Sequence, residues 1–277
     1  MRKILILFLI PLLFSSCMKH IPEKITINAV DERNAYPEEI DIQPMESVTI
    51  TSHLITIAPK EEGVTYVISG YYNGQIIVET KNTIIKLKNA YLENTSGKPA
   101  LRFKPKAEVS TVEGSTNYII SRGRGFAKQA ALFSAEDLAI GGSGTLYVQG
   151  KICHGIEAED VRIKGKGTLY AQGSYTRGSA LSCRSITVLT EKDFNAYFLN
   201  SKCGIKADET ITISSGNFYL YNNFVGLKTD IKADNTKKPH GITLLGGNFH
   251  TYGNKNLFQT ERDGYNNSGA TFKEESL

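Results

Sequence analysis

The sequence predicts an all-β protein built as a solenoid, a single-stranded parallel β-helix, and three observations lead there. The first is a motif that recurs along the second half: Ala131-Leu-Phe-Ser-Ala-Glu-Asp-Leu-Ala-Ile with Gly144-Thr-Leu-Tyr-Val, Gly155-Ile-Glu-Ala-Glu-Asp-Val-Arg-Ile with Gly167-Thr-Leu-Tyr-Ala, and Gly204-Ile-Lys-Ala-Asp-Glu-Thr-Ile-Thr-Ile with Gly216-Asn-Phe-Tyr-Leu. Looser copies start at Gly178-Ser-Ala-Leu-Ser-Cys and at Val225-Gly-Leu-Lys-Thr-Asp, the last continuing after an insertion at His240-Gly-Ile-Thr-Leu-Leu-Gly-Gly-Asn-Phe. The second is the period: counted between the small residues that head each copy, the steps are 24, 23, 26 and 22 residues, the length of one turn of a solenoid. The third is local, since each repeat holds two short alternating stretches and no run with helical period. Such strands bury an apolar face only by stacking on their neighbours. An antiparallel sandwich also has short strands at even spacing, but near-identical copies headed by a small residue favour the solenoid.

The alternation assigns the core. Leu138, Ile140, Val161, Ile163, Ile186, Val188, Ile211 and Ile213 point inward from the first stretch, and Leu146, Val148, Leu169, Ala171, Phe218 and Leu220 from the second.

Taken from the N-terminus, residues 1–16 read as a signal peptide. Met1-Arg-Lys precedes an apolar run from Ile4 to Phe14, too short to span a bilayer as a helix, and Ser15 and Ser16 lead to Cys17. Leu13-Phe-Ser-Ser-Cys17 resembles a lipobox, relaxed at Phe14, which implies lipidation at Cys17 and a membrane anchor in the cell envelope, at the outer membrane or cell surface. The alternative is plain cleavage and secretion. Residues 17–45, polar and carrying Pro22, Pro37 and Pro44, read as a lipidated tether. The β-helix domain is assigned to 46–258, beginning with the alternation of Val48-Thr-Ile-Thr and continuing through Ile55-Thr-Ile, Tyr66-Val-Ile-Ser, Gln75-Ile-Ile-Val and Ile84-Ile-Lys-Leu. Ser121 to Ala130 and Lys232 to Pro239 are expected to project as loops. After Gly253 the pattern fades, so residues 259–277 are expected to form a C-terminal cap or tail.

Charge and cysteines narrow the function. Loss of the signal removes Arg2 and Lys3 and takes the formal charge from +4 to +2, with the remaining cations scattered, which gives no footing for nucleic acid. Cys153 and Cys203 lie at similar points of the repeat but two repeats apart, roughly 9–10 Å at the strand spacing, beyond disulfide reach. All three cysteines of the domain, Cys183 included, are therefore expected to be free, buried thiols.

The ordered set Gly63-Val-Thr-Tyr-Val-Ile-Ser-Gly, Gly74-Gln-Ile-Ile-Val, Asn94-Thr-Ser-Gly-Lys-Pro-Ala-Leu, Ala131-Leu-Phe-Ser-Ala-Glu-Asp-Leu and the Gly-Ile-Glu-Ala-Glu-Asp repeats resembles a bacterial carbohydrate-binding β-helix family whose members bind cellulose and acidic plant polysaccharides. The resemblance spans about residues 47–253. It implies a right-handed coil similar in shape to pectate lyases, a surface or secreted location, bound calcium, and sugar binding with no catalytic step demanded. In that family an Asp commonly precedes the Gly-Ile of each repeat, whereas those positions here are His154, Arg177, Cys203 and Val225.

Two outward columns are the candidate sites. The first is acidic: Glu136, Glu159, Asp208 and Asp230 align in one column, interrupted by Cys183, and Asp137, Asp160 and Glu209 in the next, interrupted by Arg184. Carboxylates stacked at strand spacing repel, and calcium would relieve that repulsion. A solvated edge screened by Arg184, Lys206 and Lys228 would relieve it too, and both readings stay open. The second is aromatic: inward Leu146, Leu169 and Phe218 turn Tyr147, Tyr170 and Tyr219 outward, with Tyr197 from the looser copy and His250 at the far end. Flanked by Gln149, Gln172, Asn200, Tyr221 and Tyr252, this strip is a candidate polysaccharide platform, or else a stabilising stack with no ligand.

No acid, base and nucleophile come together at catalytic spacing, the five histidines are scattered, and Arg122-Gly-Arg-Gly lacks the strand and helix of a phosphate loop. Arg177 and Arg184 are the only candidates for a lyase base. The sequence therefore reads as a non-catalytic, polysaccharide-binding lipoprotein, with a surface adhesin or structural protein, or a calcium-dependent polysaccharide lyase, as the alternatives.

Overall fold

The computed structural model describes residues 33–36, 39–123, 130–229, 241–260 and 264–275. Within them the chain is all-β, a single 3-10 turn at Arg33–Ala35 preceding a succession of short strands. No helix among the described residues is long and apolar enough to cross a membrane.

Pairing is almost entirely parallel. Each strand bonds to the equivalent strand of the next repeat, and three ladders result. The first runs through Leu54–Ile57, Gln75–Val78, Leu101–Phe103, Leu132–Ser134 and Ile156–Glu157, then the opening halves of Leu181–Thr190 and Cys203–Ile213, to Val225–Thr229 and Asn256–Thr260. The second runs through the opening halves of Thr65–Asn73 and Ile84–Asn94, then Ala107–Thr111, Leu138–Gly142 and Asp160–Gly165. It continues in the closing halves of Leu181–Thr190 and Cys203–Ile213, Gly241–Leu244 and Tyr265–Asn267. The third holds the closing halves of Thr65–Asn73 and Ile84–Asn94, then Thr116–Ser121, Thr145–Gly150, Thr168–Gln172, Asn195–Leu199, Asn217–Tyr221, Asn248–Tyr252 and Thr271–Glu274. One strand of each ladder makes one rung.

The inward residues of all three ladders form one continuous core, and every inward position assigned from the alternation is buried within it. Like residues meet like: Ile140 stacks on Ile163, which stacks on Val188 and then Ile213, each in register. Burying such a side chain contributes about 1.5–3 kcal/mol. At the corner between the second and third ladders Gly165 takes a φ of +97°, and a β-carbon there would stand 2.5 Å from the Gly142 carbonyl oxygen, so the tight turn requires glycine.

The N-terminal end of the stack is closed by two antiparallel pairings. Asp41–Gln43 lies on Val67 to Ser69, and Val48–Ile50 folds back on Ile55 to Ile57. This corrects the tether assigned to 17–45, because Ile42 is buried in the core and Tyr36 packs on Tyr91 and Tyr118. The residues from 33 onward therefore contribute to the folded unit, while Cys17 and the signal segment lie outside the described residues. At the other end, Tyr265–Asn267 and Thr271–Glu274 extend the second and third ladders by one more rung, where a cap or tail was assigned to 259–277. That rung has no rung beyond it among the described residues, its residues are largely exposed, and its polar alternation hid it in the sequence.

The register also moves one repeat head. Ile156 pairs with Leu181 and Leu181 with Ile205, so Ala180, two residues beyond Gly178, is the equivalent of Gly155 and Gly204. Cys183 consequently pairs with Ala207 and points inward, and the strand pair slips by one residue before Ser185 meets Thr210. Cys153 and Cys203 are buried as well.

Candidate functional site

The acidic columns form, but Asp137, Glu159, Asp160 and Asp208 face cations. Arg184 bonds Glu159 at 2.7 Å and grips Asp160 through two guanidinium nitrogens, one at 3.0 Å. The hydrogen bond to Asp160, reinforced by the charges of Asp160, Glu159 and Glu209, raises the Arg184 pKa. Lys106 faces Asp137 at 3.5 Å, and its backbone N–H donates to Glu136 at 3.1 Å. Lys206 bonds Asp208 at 3.2 Å. A shallow groove of about 160 Å³ runs between Lys106, Asp137, Asp160, Arg162, Ser185 and Thr187. Among the described residues no group of three or more His, Cys, Asp or Glu side chains converges as a metal ligand set, and Asp230 lies outside them. Among the described residues the carboxylates are thus drawn toward cations of the chain rather than gathered about one point. The inward turn of Cys183 brings Arg184 level with Glu159, and one guanidinium bridges a carboxylate from each column, Glu159 and Asp160.

The aromatic column is longer than the sequence suggested. Tyr71, Tyr91, Tyr118, Tyr147, Tyr170, Tyr197, Tyr219 and His250 occupy one register position of the third ladder. From Tyr118 to Tyr219 the rings stack face to face, with centroids 4.2–4.7 Å apart and planes within 10°; His250 ends the row at 4.6 Å. Tyr71, Tyr91 and Tyr118 follow the same alternation, but their rungs lack the glycine-headed motif that made the others visible.

This geometry corrects the flat platform expected of Tyr147, Tyr170, Tyr197 and Tyr219. A ring stacked on both sides has no free face on which a sugar could lie; Tyr91 and Tyr118 are buried, and Tyr147, Tyr170, Tyr197 and Tyr219 offer solvent their half-buried edges and hydroxyls. Burial, and then the neighbouring Tyr170 and Tyr219 phenols, push the Tyr197 pKa up, and burial raises that of Tyr170, so these hydroxyls remain neutral donors and acceptors at ordinary pH. Gln149 is corrected too: it is 7% exposed, in a register column with Ile120, Gln172, Leu199, Tyr221 and Tyr252 that lies where the chain turns out of the ladder. Gln172 is half-buried, and its side-chain oxygen has no hydrogen-bond partner among the described residues.

A second outward column accompanies the rings. Thr116, Thr145, Thr168, Asn195, Asn217 and Asn248 stand in register two residues before the rings from Tyr118 to His250, and Thr271 continues the column two residues before Lys273. The amides link rung to rung: Asn248 donates to Asn217 at 2.9 Å, Asn217 to Asn195 at 3.3 Å, and the Thr271 hydroxyl to Asn248 at 2.8 Å. Sequence reasoning missed this column although its signal is explicit, in the Thr or Asn that precedes each Leu-Tyr or Phe-Tyr pair. Hydroxyls, amides and phenol edges thus form a two-column row, repeated at the rung spacing of about 4.8 Å.

The row is anchored at both ends. Glu275 bonds His250 at 2.9 Å and accepts from the Tyr221 hydroxyl, and that hydrogen bond, then His250, holds its carboxyl below the usual range. At the other end Arg122 pairs with Glu93 at 2.6 Å and donates to the Tyr91 hydroxyl, while Arg33 stacks over Tyr71.

A family model described as carbohydrate-binding domain-containing protein matches residues 51–161. The solved structure of a polysaccharide lyase-like protein from C. thermocellum, a gadolinium derivative, superposes with a TM-score of 0.58 at 18% identity, over 85% of this chain and 96% of that one. The two share a fold. Comparison with curated proteins gave no match.

Proposed function

We propose that this chain is a non-catalytic polysaccharide-binding protein, that its three ladders form a right-handed parallel β-helix, and that a lipid on Cys17 tethers it to the bacterial cell envelope. The observation that carries the binding reading is the row of phenol edges and Thr or Asn side chains on the third ladder. It presents hydrogen-bonding groups of both kinds at one constant interval, and that interval is close to the length of a sugar residue in an extended glycan chain. Such a chain lying along the row meets the same pair of groups at each residue. The matched family model, which covers the rungs of Tyr71, Tyr91, Tyr118 and Tyr147, supports a carbohydrate ligand. The polysaccharide lyase-like description of the protein that shares the fold supports a polymeric one.

The test is retention of residues 33–277 on a panel of insoluble and acidic polysaccharides. Binding is expected to at least one polymer, and Asn217→Ala combined with Tyr197→Phe is expected to weaken it several-fold while the thermal transition remains. Failure of the wild type on every polymer would refute the reading.

A further inference from the structure

Where the two-column row meets the N-terminal end of the stack, the structure holds a cavity of about 940 Å³, within the range of small-molecule sites. It sits at the corner between the second and third ladders, beneath the segment that closes this end. Tyr36, Glu39, Asp41, Lys88, Asn89 and Thr116 line it. Thr116 belongs to both features, since it lines the cavity and also pairs with Thr145 as the first member of the Thr and Asn column. Tyr36 fixes the junction, donating its hydroxyl to the Thr116 carbonyl at 2.8 Å and setting its ring edge-on to Tyr118. Asn89 accepts the Thr116 N–H at 3.1 Å. The far wall depends on Gly70, where a β-carbon would stand 2.1 Å from the Glu39 carbonyl oxygen; without glycine the segment could not lie against this corner.

We propose that this cavity is a subsite for the terminal sugar of a neutral glycan whose chain lies along the row. The inference rests on the glycan-binding reading above and adds that one end of the ligand is recognised. The lining supports a neutral, hydroxyl-rich terminus. The exposed carboxylates of Glu39 and Asp41 are acceptors suited to sugar hydroxyls, and the Lys88 ammonium and the Gln43 amide, itself bonded to Asp41 at 2.9 Å, are donors. With two carboxylates against one ammonium, the charge disfavours a uronate there. Tyr36 packs over the buried rings of Tyr91 and Tyr118, so the solvent-facing part of the row stops at the cavity.

The experiment titrates residues 33–277 with cellohexaose and xylohexaose, and with the same hexamers either reduced to the alditol or capped with a bulky group at the non-reducing end. Modification of one end is expected to lower affinity about tenfold and modification of the other to have little effect. The double variant Glu39→Gln, Asp41→Asn, folded by circular dichroism, is expected to lose a similar factor for the unmodified hexamer. If an unmodified hexamer binds and neither end modification changes its affinity, the end-binding subsite is overturned and the row is left as the site. Polymer binding without hexamer binding also overturns the subsite alone, and absence of binding to both overturns the parent reading with it.

Discussion

His154 shows how a single half-buried side chain can set a pH limit. Its Nδ1 accepts the Ser179 N–H at 2.9 Å, an arrangement that requires the neutral ring. Burial, and then the nearby Lys206 and Lys202 charges, lower its pKa to about 4. In the unfolded chain the ring takes up a proton near pH 6.5, so between about 6.5 and 4 the unfolded state holds a proton that the folded state refuses. Stability is therefore full above 6.5 and falls as pH drops through that window, by on the order of 2–3 kcal/mol. Melting temperatures followed from pH 7 to pH 4 are expected to fall more steeply in the wild type than in His154→Asn. Parallel profiles would refute this account. The sequence marked His154 only as a departure from a family pattern, because the burial and the two lysines come from other rungs.

The tyrosine row belongs to the scale of the element. Tyr170 is stacked on both faces at 4.4 Å, whereas among the described residues His250 has one ring neighbour, Tyr219, and a bond to Glu275. Tyr170→Ala removes two stacking contacts and opens a gap between rungs, with an expected cost of about 3 kcal/mol; His250→Ala is expected to cost about 1 kcal/mol. Urea unfolding of the two variants checks the order, and equal losses would mean that the stack contributes little beyond each ring's own burial. That these rings share a face was legible from the alternation. Their mutual orientation was not, because side-chain packing sets the tilt of a ring. The tilt decides the chemistry: face-on rings make a platform for sugar rings, and stacked rings make a row of hydroxyls. The buried Gln149 is a related case, since strand alternation names an outward side but ends where the chain turns a corner.

At the scale of the whole molecule, three ladders share one core, and the acidic columns are paired across rungs by Arg184 and Lys106, with Lys206 holding Asp208 within one strand. With these ion pairs in place, removal of calcium by a chelator is expected to leave the melting temperature unchanged, whereas a bound ion would raise it by mass action. A calcium-dependent rise of several degrees would show a cation site that these pairs do not describe. The repeat period, the inward residues and the all-β class were determined by the sequence by itself, because apolar alternation and recurrent small residues are local properties that each copy states again. Only the tertiary structure decided the register, the closed N-terminal end and the pairing of charges. The reason is physical: Cys183 turning inward, Arg184 meeting Glu159 and Asp160, and the Glu39 carbonyl lying against Gly70 are contacts between residues about 24 or more positions apart. A one-residue slip between strands reverses which side each residue faces, and the interactions that fix the slip exist only once the rungs are stacked.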